Sequence, residues 1–212
     1  MPVESVIPAR RNGPLIEAAA SLWIKPDDLV CDVTYGLGRF WTHYKPERFV
    51  AHDLDPEKGD GVDFRNLPEE TASVDVIVFD PPYVSVGGRE TSTTKDMLGR
   101  YGLIHAPKTP AGIDELISDG LKECARVLVP GGRLFLKSCD YISSGKYQAG
   151  HLHALNNALF DGYFTILDEF IHHSGTGPQP TTNLDGTPRR QVHSRRSHSF
   201  LNILGRTKVK VL

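Results

Sequence analysis

Asp80-Pro81-Pro82-Tyr83 places a carboxylate and an aromatic ring on a corner stiffened by two prolines. Each proline fixes its own φ and biases the residue before it toward extended geometry. The run just before it, Val76-Ile77-Val78-Phe79, is β-branched and aromatic with no helical period. That predicts a strand covered on both faces. A rigid carboxylate and phenol at such a strand end stand where open α/β sheets bind ligands. A second constellation lies upstream. The apolar run Leu29-Val30-Cys31 leads into Asp32-Val33-Thr34-Tyr35-Gly36-Leu37-Gly38. Gly36 and Gly38 permit a backbone turn, and a close ligand approach, that side chains would block. Asp53 ends the next apolar run, Phe49-Val50-Ala51-His52. Its distance from Asp32 is about the 20 residues of a ribose-binding carboxylate. Asp55, ahead of Pro56, competes for that role. Asp63 and Phe64 follow shortly before the buried strand, with Asp60 as the rival of Asp63.

These residues resemble a known family. Residues 80–83 read as the DPPY signature of S-adenosylmethionine-dependent amino methyltransferases, which methylate an exocyclic nitrogen, most often adenine N6 in DNA. Residues 32–38 are similar to the first motif of the class I methyltransferases, with an acid four residues before the first glycine. Arg126-Val127-Leu128-Val129-Pro130-Gly131-Gly132-Arg133-Leu134 resembles their helix–PGG–strand turn. Ser194-Arg195-Arg196-Ser197-His198-Ser199-Phe200 resembles the basic lead into the last strand of the DNA enzymes. The matches keep this order from about Leu15 to Leu204. The resemblance implies S-adenosyl-L-methionine as cofactor, bound by Asp32, Tyr35, Gly36, Gly38, Asp53, Asp63 and Phe64. Asp63 would meet the adenine amino group of that cofactor. It implies a catalytic corner of Asp80, Pro81, Pro82 and Tyr83. There Asp80 and the Pro81 carbonyl accept the amine hydrogens and Tyr83 stacks on the base. DNA is the implied partner, with RNA as the second choice.

Elements must position these groups. Leu15, Ile16, Ala19, Leu22 and Trp23 recur at helical spacing, which predicts a helix over 14–23. Strands are expected at 29–32, 49–53, 76–79, 133–137, 165–171 and 200–204, and a helix is expected to begin near Arg39. An amphipathic helix over 113–128 ends at Pro130-Gly131-Gly132, and another spans 150–160. Residues 1–12 read as an irregular arm. The segment 84–110 is too long for a plain connection, so a lid is expected. Residues 172–198 form a polar insert, basic at its end. Arg89, Arg189, Arg190, Arg195 and Arg196 are the candidate phosphate contacts. A solvated loop is the alternative for the insert. With the resemblance, the expected class is α/β: a seven-stranded, mostly parallel Rossmann-like methyltransferase sheet, helices on both faces, and an antiparallel C-terminal edge strand. Residues 1–212 would form one such domain.

The 24 Lys and Arg nearly balance the 26 Asp and Glu, for a net charge of −2. Nucleic-acid contact must therefore rest on a local patch. Cys31, Cys124 and Cys139 show neither a pairing framework nor ligand spacing, as in a reducing cytoplasm. His172 and His173 lack a spaced third donor, so no metal centre is expected. No signal peptide and no membrane-length apolar run is visible, which points to the cytoplasm and away from membranes. Two features depart from the family. Arg39-Phe40-Trp41 stands where DNA enzymes carry small or hydroxylated residues. No separate target-recognition domain is visible, so specificity would be short or come from a homodimer or another protein. Alternative activities are base N-methylation in RNA (guanine N2 or adenine N6), cytosine N4 in DNA, methylation of a protein side-chain amide, or a catalytically inactive cofactor-binding subunit.

Overall fold

The computed structural model describes residues 2–83, 85, 107–160, 162–175, 185–188, 190–194 and 196–207. The chain runs β1 (Val6–Pro8), α1 (Gly13–Trp23), β2 (Leu29–Asp32), a 3-10 turn (Arg39–Thr42), β3 (Arg48–Ala51) and β4 (Val74–Phe79). It continues through α2 (Pro110–Val127), β5 (Leu128–Ser138), β6 (Tyr141–Ser143), β7 (Lys146–Gln148), α3 (Gly150–Phe160), β8 (Phe164–His173) and β9 (His198–Arg206). Seven strands form one sheet in the order β1-β8-β9-β5-β4-β2-β3. Every neighbouring pair is parallel except β5·β9 and β8·β9, so β9 alone runs against the rest.

Strand alternation splits the core into two layers. Cys31, Ile77, Phe79, Leu134 and Leu136 face α2 and α3, packing on Ile113, Ile117, Leu121, Ala154 and Ala158. Val30, Val76, Val78 and Phe135 face α1, packing on Leu15, Ile16 and Ala19. Both faces of β4 are thus dry, and each fully buried Ile or Phe contributes about 1.5–3 kcal/mol. Helix α2 begins three residues earlier than the periodicity suggests. Thr109 caps it by accepting from the Gly112 N–H at 3.1 Å, and Pro110 fills the first turn.

Several expectations are corrected. The N-terminal arm is not wholly irregular: Val6–Pro8 adds a parallel edge strand to β8, with the Ile171 N–H donating to Ser5 O at 2.7 Å. It is the seventh strand of the sheet. The antiparallel strand is consequently not at the edge. Asn202, Leu201, Ile203 and Leu204 are fully buried between β5 and β8. The helix expected near Arg39 is only a four-residue 3-10 turn. Its bulky Phe40 and Trp41 pack with the layer around α1, which covers this face of the sheet. A small ribbon, β6–β7, was not foreseen. Its two-residue turn has φ 49° at Ser144 and 74° at Gly145, the positive values that tight hairpins need. Most of the expected lid, 84–110, and much of the insert lie outside the described residues. No helix among the described residues is long and apolar enough to cross a membrane.

Candidate active site

The C-terminal ends of β2, β3 and β4 open into a cleft of about 520 Å³. The turn after β2 supplies one wall. Gly36 and Gly38 take left-handed backbone, φ 56° and 65°. That conformation costs an L side chain about 1–2 kcal/mol. A Cβ on Gly38 would also stand 2.5 Å from the Tyr35 hydroxyl, because the tyrosine folds over the turn. The Gly36 N–H donates to Asp53 Oδ2 at 2.7 Å, and the Asp55 N–H donates to Asp53 Oδ1 at 2.9 Å. These bonds hold the Asp53 carboxylate against the glycine turn.

The rival acids are separated by their partners. Asp53 lines the cleft and Asp55 does not; Asp55 pairs with Lys58 Nζ at 2.6 Å. Asp63 lines the cleft, whereas Asp60 faces His52 Nδ1 at 2.6 Å. Arg65 grips Asp63 at 2.5 and 3.0 Å and holds its carboxyl below the usual range. Phe64 reaches the cleft but is mostly core, packed edge-on against Phe79 at 4.9 Å. Asp32 lies beneath the turn, 2% exposed, and does not line the cleft. It accepts from the Thr34 N–H at 3.0 Å and from the Trp41 indole N–H at 2.7 Å. Burial pushes its carboxyl up to about 7 against those two bonds, and repulsion from Asp80 and Asp53 adds to the rise.

The Asp80 corner closes the cleft beside the glycine turn. Pro81 is buried, while Asp80, Pro82 and Tyr83 line the cleft. Asp80 Oδ1 is buried and makes no hydrogen bond among the described residues. Lys137 Nζ stands 3.7 Å from it. Burial raises the Asp80 pKa, and the Lys137 charge offsets part of that rise. Lys137 is a functional candidate that sequence reasoning missed. It is 3% exposed, donates to the Tyr83 hydroxyl at 3.3 Å, and lies 5.3 Å from the Tyr83 ring centre. Its signal was a lysine directly after the apolar Leu134-Phe135-Leu136, on a strand where Leu136 pairs with Phe79.

A second cavity of about 310 Å³ adjoins the same corner, and Tyr83 lines both. Its cationic lining comprises Arg10, Lys137 and Arg196, with His172 and His198 beside them. Burial, then the Lys137 charge, lowers the His172 pKa, and its Nε2 lies 2.7 Å from the Ala9 carbonyl. Arg196 lies over the Tyr147 ring at 4.7 Å, and its buried Nε has no hydrogen-bond partner among the described residues. Asp140, the acid of this cavity, is committed to Tyr147 at 2.5 Å and His151 at 3.0 Å. Of the other candidate phosphate contacts, Arg190 is exposed, and Arg89, Arg189 and Arg195 lie outside the described residues.

No family model matches the sequence, and no curated protein matches it. Solved structures do share the fold. A chain of the complex between the Haloferax volcanii Trm112 methyltransferase activator and a methyltransferase gives a TM-score of 0.58 at 16% identity, over 95% of this chain and 92% of that one. TrmN from Thermus thermophilus gives 0.53 at 18% identity, over 91% of this chain and 48% of that one. The fold is that of the class I methyltransferases. This chain spans about half of the TrmN chain. A chain named as a hemolysin, from Streptococcus thermophilus, gives 0.51 at 13% identity, over 93% and 66%. The class I methyltransferase fold is thus shared by proteins of different name, and function must be argued from the site.

Proposed function

We propose that the chain is an S-adenosylmethionine-dependent N-methyltransferase acting on an exocyclic amine of a nucleic-acid base, adenine N6 in DNA. The observation that carries this reading is the Asp80 carboxylate. It lines the cleft, its buried Oδ1 has no hydrogen-bond partner among the described residues, and Tyr83 stands beside it. An acceptor left open in such a place suits a donor brought by a substrate. The glycine turn, Asp53 and Asp63 fit a nucleoside: the turn clears space, and Asp53 offers a carboxylate to ribose hydroxyls. When bound there, S-adenosylmethionine supplies a methyl group already activated on a sulfonium.

The chain's own work is positioning and electrostatics. Asp80 accepts an amine hydrogen and orients the nitrogen lone pair. Tyr83 offers its ring to the base, and Lys137 braces both groups from behind. The cationic second cavity favours a phosphate-bearing substrate over a neutral one. In duplex DNA the base must leave the stack, which costs a few kcal/mol. Residues 1–212 are read as one domain.

Incubation with methyl-labelled cofactor and either DNA or RNA, followed by nucleoside mass spectrometry, tests the reading. N6-methyladenosine in its deoxy form is the expected product. Label in RNA alone would move the substrate to RNA. No label in either polymer, from protein that binds the cofactor product by calorimetry, would end the nucleic-acid assignment. Asp53→Ala should weaken that product's binding about tenfold, the worth of one good hydrogen bond.

A further inference from the structure

Three side chains from separate segments meet behind the cleft wall. Cys31 lies on β2, His52 follows β3, and Glu69 precedes β4. One ligand atom from each, the Cys31 sulfur, a His52 ring nitrogen and a Glu69 carboxylate oxygen, lie within 4.8 Å of one another. Cys31 is fully buried, His52 is 5% exposed, and the Glu69 side chain is 14% exposed. His52 Nδ1 faces Asp60 Oδ2 at 2.6 Å, and Nε2 faces Glu69 Oε1 at 2.8 Å. Glu69 Oε2 is buried with no hydrogen-bond partner among the described residues.

We propose that Cys31, His52 and Glu69 bind a divalent transition-metal ion of the zinc class. The donor set is thiolate, imidazole and carboxylate, the mixture that zinc accepts. Asp60 supplies what a metal-binding histidine needs on its far nitrogen. A carboxylate on Nδ1 fixes the tautomer and leaves Nε2 free to ligate. The unpartnered Oε2 gives Glu69 a second oxygen for the same ion. Without a cation, two carboxylates flank one imidazole and a buried oxygen goes unserved. A protonated His52 would answer Oε1 and Asp60 but not Oε2. On binding, Cys31 releases its thiol proton and His52 ligates as the neutral ring, so protons pass to solvent as the ion enters.

The ion would brace the cleft rather than enter it. The His52 N–H donates to the Asp32 carbonyl at 2.8 Å, and the Tyr35 N–H donates to the His52 carbonyl at 2.9 Å. The site therefore ties the glycine turn to the strand end that carries Asp53. This holds whatever group the cleft transfers.

Cobalt titration of chelator-treated protein tests the site, since a thiolate ligand gives a near-ultraviolet charge-transfer band. The expected result is a band saturating at one equivalent, displaced by zinc, absent in Cys31→Ala and retained in Cys124→Ala. Asp60→Asn should weaken cobalt binding about 10–100-fold, as expected for the partner of a ligating histidine. Zinc should raise the melting temperature of the wild-type protein, and chelation should reverse it. A wild-type protein that shows no band, a band that survives Cys31→Ala, or a melting temperature unmoved by zinc would each overturn the proposal. The wild-type readings do not depend on any variant folding.

Discussion

The Asp80 N–H donates to Thr34 Oγ1 across 2.8 Å. This one bond joins the glycine turn after β2 to the corner after β4. The two halves of the cleft therefore share a support. Thr34→Val keeps the shape and deletes the acceptor, leaving a partly buried N–H unserved. The expected cost is about 1–3 kcal/mol. Thr34→Ser should restore most of it. Denaturant unfolding of both variants checks the loss, and turnover should fall in the valine variant alone.

Asp80→Ala should cut methyl transfer by about 10²-fold or more, as removal of a positioned polar group does elsewhere. Cofactor-product affinity should stay within a few-fold, because Gly36 and Asp53 follow β2 and β3 and Asp63 lies in the loop before β4, apart from the Asp80 corner. An acceptor used chiefly when the nitrogen is aligned lowers turnover more than binding. Turnover and calorimetry on one preparation decide this. Wild-type turnover would remove Asp80 from the reaction.

Lys137→Met should shift the acid limb of the pH–rate profile upward. The Lys137 ammonium lowers the Asp80 pKa against the larger effect of burial. Without that charge the carboxyl keeps its proton to higher pH, and only its ionised form offers both oxygens. A profile that merely scales down, with its acid limb in place, would assign Lys137 to packing.

Gly38→Ala should destabilise the protein more than Gly36→Ala. Both positions have positive φ, worth about 1–2 kcal/mol against an L side chain. At Gly36 the nearest atom to an added Cβ is 3.9 Å away, whereas at Gly38 the Tyr35 hydroxyl is at 2.5 Å. Pairing Gly38→Ala with Tyr35→Ala should recover the steric part only. Equal losses at the two glycines would show that the Tyr35 ring moves aside freely.

Asp32 should make stability fall as pH rises through neutrality. Its folded-state carboxyl titrates at about 7, above the ordinary value of 3.8. A raised folded-state pKa means that the folded state holds the proton more tightly. The contribution is complete below 3.8 and is lost as pH rises through about 7. For one proton the slope reaches at most about 1.4 kcal/mol per pH unit. Unfolding free energies of wild type and Asp32→Asn from pH 5 to pH 8 (a window of roughly that span) should converge or cross toward the alkaline end. Parallel curves would contradict it.

Local chemistry determined much of this protein. The two prolines after Phe79, the glycines after Val33, the amphipathic run into Pro130-Gly131-Gly132 and the apolar cores of six strands each declare themselves within a few residues. Periodicity and backbone restriction act over that range, so they are legible in sequence. The tertiary structure decided the choices between local equals. Asp53 and Asp55 are both acids beside one strand end, and only the fold shows that Gly36 takes the first and Lys58 the second. Asp60 and Asp63 divide likewise, by whether His52 or Arg65 lies opposite. The edge strand Val6–Pro8 pairs with residues near 171, and three residues supply too little pattern to announce so distant a partner. Lys137 read as a strand-end charge until β5 came to rest beside β4 and set its ammonium behind Asp80. Cys31, His52 and Glu69 have no ligand spacing in the chain; parallel pairing of β2 with its two neighbours brings them together.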